Sequence, residues 1–413
     1  MDTKRLTWDM GGTRLAGEET GDGPALLLLH AGGENRTVWR DCAKRLADMG
    51  FRSVAVDQRG HGESDARDAH DLAVLGRDVA ALLATFDVPP VVVGASLGGF
   101  TALHALADPA VRARCSGLVL VDVVPTPAAR DVYAFLGPRG LAGDPLVDEM
   151  LSRRGELEAA ARSLDLPVHL VRAGDGALSG GSVADAAAMI GGLVVHELPG
   201  AEHLVARTAP AALTDVLAFV ADDDDVRRRR IAAVLRACGA EDAEHPGGTL
   251  ASHLLRTGER LRQWGSEAWL VDAGCLHAAY GTEGFPTALP GVTPEVVRAA
   301  VGVRAAGLID LYCHCRRADS YATFAGPHPV VVDHRTGERH PLGRMTLRAF
   351  VELTVANEMD VLIHSAELRR KYGAGLAALF VDWRGLVGER ARAAVDAWPG
   401  AVDAVSSAAA TGD

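Results

Sequence analysis

The sequence of 413 residues contains little lysine, few cysteines and no long apolar run. Lysine occurs only at positions 4, 44 and 371, and acidic residues outnumber basic ones, which gives a formal net charge of −12. Nucleic acids and anionic membrane surfaces require a concentrated positive field. The charge therefore argues against a nucleic-acid or membrane partner and favours a neutral or weakly charged small-molecule substrate.

The six cysteines are scattered, and no Cys-x-x-Cys motif occurs. Such sparse cysteine excludes a disulfide scaffold. The N-terminal residues contain no apolar signal core, and no apolar run approaches the length of a membrane-spanning helix. These absences predict a reduced, cytoplasmic protein. The oligomeric state has no signal in the sequence.

Short apolar runs alternate with stretches of helical length up to about residue 221. This alternation is typical of an α/β fold with a doubly wound, mostly parallel sheet, because strands that are buried on both faces appear as continuous apolar runs. Six runs follow this pattern: Ala25–His30, Ser53–Asp57, Val91–Gly94, Gly117–Asp122, Val168–Arg172 and Val194–Leu198.

The pattern changes near residue 225. A block of acidic and then basic residues at 222–230 is typical of a solvated linker or helix face. Beyond it the sequence is mainly helical, with one hairpin signal at Val330–Leu342. We therefore predict two domains, residues 1–224 and residues 225–413.

The first domain contains a glycine-flanked serine between an apolar run and a helical stretch. Gly94-Ala-Ser-Leu-Gly98 follows the run that begins at Val91. A tight strand-to-helix turn strains the central serine and needs small neighbours, and it exposes the hydroxyl at a helix N-terminus. Ser96 is therefore the candidate nucleophile, and the backbone N–H of Leu97 is a candidate oxyanion donor. A structural serine in a glycine turn is the alternative.

Two further parts of a nucleophilic site follow other strands. The run that ends at His30 continues into Gly32 and Gly33, and the Gly32 N–H is the second candidate oxyanion donor, unless this is an ordinary glycine turn. His203 lies in a short loop just beyond the last predicted strand. A neutral histidine in that loop could accept the serine proton, so His203 is the candidate base, with a purely structural role as the alternative.

Residues 1–221 resemble the α/β-hydrolase superfamily, in particular its serine esterase and carbon–carbon hydrolase branch. The resemblance depends on the serine motif, on His30-Ala-Gly-Gly33, on the turn Asp57-Gln-Arg-Gly-His-Gly-Glu-Ser64, and on the order of nucleophile, acid and histidine along the chain. It implies a Ser-His-Asp triad, an acyl-enzyme and no cofactor. The family places the acid after the strand Val168–Arg172, which makes Asp175 the first candidate and Asp122 the alternative.

The second domain resembles the HD superfamily, whose helices bring histidines and aspartates around one or two metal ions. Three helix-like stretches carry His253, His277 and Asp360, which would match the first ligand, the histidine of the His-Asp pair and the last carboxylate. Ala278 follows His277, so the aspartate of the pair is missing. A single transition metal and a metal-free, HD-like helical domain both remain open.

Three functions are compatible with these features. The first is a serine hydrolase or acyltransferase that acts on a small ester, thioester, lactone or carbon–carbon ketone. The second is a bifunctional enzyme whose second domain adds metal-dependent phosphohydrolase or oxygenase chemistry. The third is a non-catalytic ligand-binding protein on a hydrolase scaffold, an interpretation motivated by the loop after Val168–Arg172, in which Asp175 comes earlier than the family pattern implies.

Overall fold

The computed structural model describes residues 3–66, 71–139 and 145–398, which divide between two compact units, residues 1–233 and 234–413. The helix Asp224–Ala237 spans the position at which the two units divide. The charged block at 222–230 leads into this helix, and two of its arginines, Arg227 and Arg230, are buried. None of the helices in the described ranges is long and apolar enough to cross a membrane.

The first unit is built on one sheet of eight strands, which run in the order β1-β2-β4-β3-β5-β6-β7-β8. Strands β3 to β8 are neighbours in parallel, whereas β1 pairs with β2, and β2 with β4, in antiparallel fashion. The strand bounds are β1 Lys4–Asp9, β2 Arg14–Thr20, β3 Ala25–Leu29, β4 Arg52–Val56, β5 Val91–Ala95, β6 Gly117–Val121, β7 Val168–Asp175 and β8 Val194–Glu202.

The predicted mostly parallel sheet is confirmed, because each of the six apolar runs forms one of the strands β3 to β8. Every residue of β3, β5 and β6 is buried. The hairpin of β1 and β2 was not predicted from the sequence. Its first strand alternates exposed and half-buried residues, as expected for an antiparallel edge strand that packs on one face only.

Helices cover both faces of this sheet, and alternate side chains of β3 show the two cores. Leu27 and Leu29 belong to one apolar cluster, whereas Leu26 and Leu28 belong to another. The helices are α1 Arg40–Asp48, α2 Leu72–Ala84, α3 Leu97–Leu106, α4 Pro109–Arg112, α5 Ala129–Leu136, α6 Pro145–Ser152, α7 Arg154–Arg162, α8 Gly180–Met189, α9 Val205–Thr208, α10 Pro210–Ala221 and α11 Asp224–Ala237, with 3₁₀ turns at Arg36–Trp39 and Gly137–Arg139.

The second unit is mainly helical, as the sequence predicts. Its predicted hairpin forms, with Val330 paired to Pro341 across two short antiparallel strands. The elements are β9 Glu244–His245, β10 Gly248–Thr249, α12 Leu250–Gln263, α13 Ala268–Leu276, α14 Pro294–Cys313 with a break at Gly302, α15 Arg317–Tyr321, β11 Val330–Val332, β12 Arg339–Pro341, α16 Arg344–His364, α17 Ala366–Trp383 and α18 Glu389–Asp396.

Truncation of a central strand should destabilise the first unit much more than truncation of its edge. We expect Leu28→Ala, in the fully buried β3, to lower the free energy of unfolding by about 2–5 kcal/mol, since it leaves a cavity. Val194→Ala, at a side chain that is 44% exposed on the edge strand β8, should cost less than about 1 kcal/mol. Urea unfolding of both variants measures the difference, and equal losses would contradict this account of the sheet.

Candidate active site

Ser96 lies in a strained turn between strand β5 and helix α3. Its backbone has φ 46° and ψ −109°. Residues other than glycine rarely adopt this conformation, which costs on the order of 1–3 kcal/mol. The Ser96 N–H donates to the carbonyl oxygen of Val121 on the neighbouring strand, at 3.2 Å. The turn therefore holds the serine at the end of the sheet, where its side chain faces a cavity.

The glycines of the serine motif are required by close backbone contacts. A Cβ atom on Gly94 would lie 2.5 Å from the Gly98 carbonyl, and one on Gly98 would lie 2.4 Å from the carbonyl oxygen of Leu29. A Cβ on Gly99 would lie 2.3 Å from the side chain of Val123. Helix α3 can approach the sheet this closely only because these positions lack side chains, as the sequence motif predicts.

His203 follows strand β8 directly, and its side chain is held by a carboxylate. The His203 Nδ1–H donates to Oδ2 of Asp122 at 2.7 Å. An ionised carboxylate can only accept, so the bond fixes the proton of the neutral ring on Nδ1 and leaves the Nε2 lone pair free. The ring of Phe135 meets the His203 ring edge-on, with the centroids 4.7 Å apart. The histidine is thus oriented from two sides.

Asp122 is buried at the end of strand β6, and its carboxylate accepts three hydrogen bonds. Its Oδ1 accepts from the Ala173 N–H at 3.1 Å, and its Oδ2 accepts from the Ala177 N–H at 2.9 Å in addition to His203. A Cβ on Gly176 would lie 2.3 Å from Oδ2, so a side chain there would displace the carboxylate. The loop after β7 is therefore shaped around Asp122.

The structure does not bring Asp175, the first candidate for the acid, to His203. Asp175 is the exposed last residue of β7 and pairs across the sheet with Glu202, past an irregularity in the strand register. Strand β7 extends as far as Asp175, so this carboxylate belongs to the strand and not to the loop that follows it. The expectation of Asp175 as the histidine's partner is therefore wrong, and the alternative residue, Asp122, occupies that place.

The two candidate oxyanion donors are adjacent. Leu97 is the first residue of helix α3, so its N–H has no acceptor within the helix. A Cβ on Gly32 would lie 3.9 Å from the Leu97 side chain, which shows how near the loop after β3 approaches. Both residues line the cavity that contains Ser96 and His203, and the volume of this cavity is about 670 Å³.

The histidine before this loop has a structural role that the sequence alone did not reveal. Burial lowers the pKa of His30 to about 4, so the ring is neutral at physiological pH. Its Nδ1–H donates to the Ala31 carbonyl at 2.8 Å, and its Nε2 accepts from the Gln58 N–H at 3.0 Å. His30 therefore fixes the glycine loop to the turn that begins at Asp57.

The turn Asp57–Ser64 is also structural. Asp57 accepts from the N–H groups of Arg36 and Glu63 and forms a buried ion pair with the Arg36 side chain. The Ser64 hydroxyl donates to the Asp57 carbonyl and accepts from the Ala16 N–H. These bonds connect the turn to strand β2, so the turn stabilises the part of the sheet next to the cavity.

In the second unit, Asp360 lies on the opposite side of His253 from His277. The His253 Nδ1–H donates to Asp360 Oδ2 at 2.8 Å, and Arg256 donates to both oxygens of the same carboxylate. Burial opposes ionisation, but these bonds hold the pKa of Asp360 well below its usual range. Asp360 therefore orients His253 from the side opposite to His277.

Asn357 takes the place expected of Asp360. Its Oδ1 lies 2.9 Å from His253 Nε2 and 3.0 Å from His277 Nε2, and the two nitrogens are 3.3 Å apart. The Asn357 amide donates to Glu358 and to the Tyr312 hydroxyl, which fixes the direction of Oδ1. Asn357 precedes Asp360 by three residues on helix α16, so helical spacing could have identified it.

The three facing atoms of this cluster are all hydrogen-bond acceptors when the rings are neutral. Burial lowers the pKa of His277 to about 3, and its Nδ1–H donates to the Gly274 carbonyl. The cluster lines a cavity of about 380 Å³. Across the residues that the structure describes, no group of three or more histidine, cysteine, aspartate or glutamate side chains is placed to hold a metal ion.

Family models match two parts of the chain. Residues 24–191 match a model described as the alpha/beta hydrolase fold, and residues 234–317 match DUF6817, a domain of unknown function. The second match gives no support for the HD-like interpretation.

Among curated proteins, the probable protein phosphatase methylesterase 1 of Caenorhabditis elegans is 36% identical over 110 residues, which cover 25% of this chain and 30% of that protein. The protein phosphatase methylesterase 1 of Bos taurus is also 36% identical over 110 residues, with 25% of this chain and 29% of that protein covered. The matched stretch thus spans less than a third of either relative.

Among solved structures, E-2-(acetamidomethylene)succinate hydrolase covers 54% of this chain and 100% of its own, with a TM-score of 0.46 and 24% identity. The thioesterase domain from the curacin biosynthetic pathway covers 52% and 99%, with a TM-score of 0.44 and 17% identity. The sheet and the family match to residues 24–191 together identify this part of the chain as an α/β-hydrolase fold.

Proposed function

We propose that the first unit is a serine hydrolase that cleaves a small ester or thioester through an acyl-enzyme on Ser96. The observation that carries this proposal is the buried Asp122–His203 pair, which opens onto the same cavity as a serine in a strained strand-to-helix turn. A strained backbone persists only where the surrounding structure compensates for it, and such sites are concentrated in active centres. The methylesterase names of the matched relatives support an ester as the substrate.

The proposed reaction has two steps, which are the acylation of Ser96 and the hydrolysis of the acyl-enzyme. The Ser96 Oγ attacks the substrate carbonyl, His203 Nε2 takes the hydroxyl proton, and the Leu97 and Gly32 N–H groups bind the oxyanion. His203 then gives its proton to the leaving oxygen or sulfur, and the acyl-enzyme remains. In the second step His203 takes a proton from water, the hydroxide attacks the acyl carbon, and Ser96 recovers its proton as the acid departs. Another nucleophile in place of water would make the same site an acyltransferase.

Asp122 is the acid of this proposed triad because it fixes the tautomer of His203 and faces the imidazolium that forms when Ser96 is deprotonated. Asp122→Asn should therefore lower kcat by about 10⁴-fold, whereas Asp175→Asn, at the exposed end of β7, should change it by less than about threefold. Steady-state hydrolysis of a p-nitrophenyl ester measures both variants. A larger loss in Asp175→Asn than in Asp122→Asn would reverse the assignment.

A fluorophosphonate probe tests the proposed nucleophile directly. We expect rapid covalent labelling, with the adduct located on Ser96 by peptide mass spectrometry, and no labelling of the Ser96→Ala variant. Ser179, which caps helix α8 with its hydroxyl, provides a matched control, because Ser179→Ala should label as the unmodified protein does. A folded protein that binds ligands but is not labelled would favour the non-catalytic alternative.

We propose as a second function that the cluster of His253, His277 and Asn357 holds one divalent transition metal ion. The supporting observation is the convergence of His253 Nε2, His277 Nε2 and Asn357 Oδ1, which lie within 3.3 Å of one another. Each histidine donates its other ring N–H to an oxygen, of Asp360 or of Gly274, which is the usual arrangement behind a metal-binding histidine. A bound ion would supply a Lewis acid at the cavity; phosphohydrolase and oxygenase chemistry remain predictions from the sequence.

Metal binding should depend on Asn357 and much less on a histidine elsewhere in the unit. We expect the protein to bind about one equivalent of Co²⁺ with a visible absorption spectrum, and Asn357→Ala or His277→Ala to abolish it. Asp360→Asn should weaken binding by about 10–100-fold, since it acts behind His253. His328→Ala, at an exposed position, is the control. Substoichiometric Co²⁺, or binding that the cluster variants leave intact, would contradict the site.

A further inference from the structure

Four acidic side chains line the cavity around Ser96. Glu34, Asp131 and Glu202 line it together with Asp122, which is already paired with His203. Among the described residues that line the cavity, lysine and arginine are absent. The described lining therefore offers no lysine or arginine to the carboxylate or phosphate of a substrate.

Glu34 is a buried acidic residue of this cavity. It follows Gly32 by two residues in the loop after β3, and its side chain is only 6% exposed. An Arg207 guanidinium nitrogen lies 3.1 Å from its Oε1, but the Arg207 side chain is 61% exposed and does not line the cavity. Burial raises the pKa of Glu34, and Arg207 opposes that rise. Glu34 thus lines the cavity, whereas the Arg207 side chain that pairs with it is largely in solvent.

An apolar wall also lines the cavity. Helices α5 and α6 contribute most of this wall, and valine residues after β6 extend it towards Ser96. The apolar lining side chains are Val123, Val124, Val132, Phe135, Leu136, Leu146, Val147 and Met150. An aliphatic or aromatic group would bury apolar surface there, at a gain of about 25 cal/mol per Å².

We propose that the substrate is a neutral or cationic ester with an apolar group, and that Glu34 excludes esters that carry an anionic group. This inference rests on the proposed hydrolase function and specifies its substrate class. Two like charges in a partly desolvated cavity repel far more strongly than in water. An anionic substrate would also lose its hydration without a partner, and such a mismatch is an effective way to reject a competitor.

Three p-nitrophenyl esters of similar size test the proposal at mildly alkaline pH: the valerate, the glutarate monoester and the γ-(trimethylammonio)butyrate. They present a neutral, an anionic and a cationic chain end to the same reaction. We expect kcat/KM for the anionic ester to be at least about tenfold below that of the valerate. We expect kcat/KM for the cationic ester to exceed that of the anionic ester by at least the same factor.

Two variants separate the charge of Glu34 from its contribution to packing. Glu34→Gln removes the negative charge, and the valerate-to-glutarate ratio should fall to within about threefold. Arg207→Gln breaks the same ion pair but leaves the carboxylate, and the ratio should rise above that of the unmodified protein. If Glu34 acted only by holding the loop after β3 to helix α9, both variants would shift the valerate-to-glutarate ratio in the same direction.

The failure of the proposal differs from the failure of the hydrolase assignment. Equal kcat/KM values for the valerate and the glutarate, or a ratio that Glu34→Gln leaves unchanged, would overturn the proposal while Ser96 chemistry stands. Cleavage of none of the three esters by protein that fluorophosphonate labels at Ser96 would also overturn the substrate class. Absence of labelling at Ser96 would instead overturn the hydrolase assignment.

Discussion

The buried carboxylate of Asp122 is the interaction on which the geometry of the proposed active site depends. It is 1% exposed, so its charge must be compensated by hydrogen bonds. They come from the N–H of Ala173 in β7, the N–H of Ala177 in the loop after β7 and the ring of His203 after β8. One side chain at the end of β6 therefore joins the loops of three successive strands.

Register between neighbouring strands then sets the position of the serine. Ala95 of β5 lies opposite Val121 of β6, so the next residues, Ser96 and Asp122, leave the sheet side by side. Both have a positive φ, of 46° and 48°. Their N–H groups donate to the carbonyl oxygens of Val121 and Val171, each on the neighbouring strand. A positive φ and a hydrogen bond to the neighbouring strand thus position both the candidate nucleophile and the candidate acid.

Much of the first unit could be predicted because its central strands are buried on both faces and its serine turn has a strict steric signature. The edge strands β1 and β2 were missed because they lack a continuous apolar run. Asp175 was preferred to Asp122 because distance along the chain does not reveal how far β7 extends. Only the folded register shows that Asp175 stays in the sheet while Asp122 reaches the histidine.

The second unit shows a different limit of sequence reasoning. His253, His277 and Asp360 do come together, as the spacing of the helix-like stretches suggests. However, a histidine ring has two nitrogens that point in opposite directions, and the sequence cannot tell which one a carboxylate will meet. Asp360 is bonded to Nδ1 of His253, and the amide oxygen of Asn357 faces the other nitrogen, Nε2. An amide is a less common metal ligand than a carboxylate or an imidazole, so residue type alone gives Asn357 no distinguishing signal.

The contact between Phe135 and His203 has a consequence for any redesign of this cavity. Phe135 belongs to helix α5, which forms part of the apolar wall, and it also supports one side of the imidazole ring. Exchange of this residue for a larger or smaller one would change the room for the substrate and the freedom of the ring together. Selectivity and turnover are therefore coupled at this position, and directed evolution that starts there would have to improve both in one step.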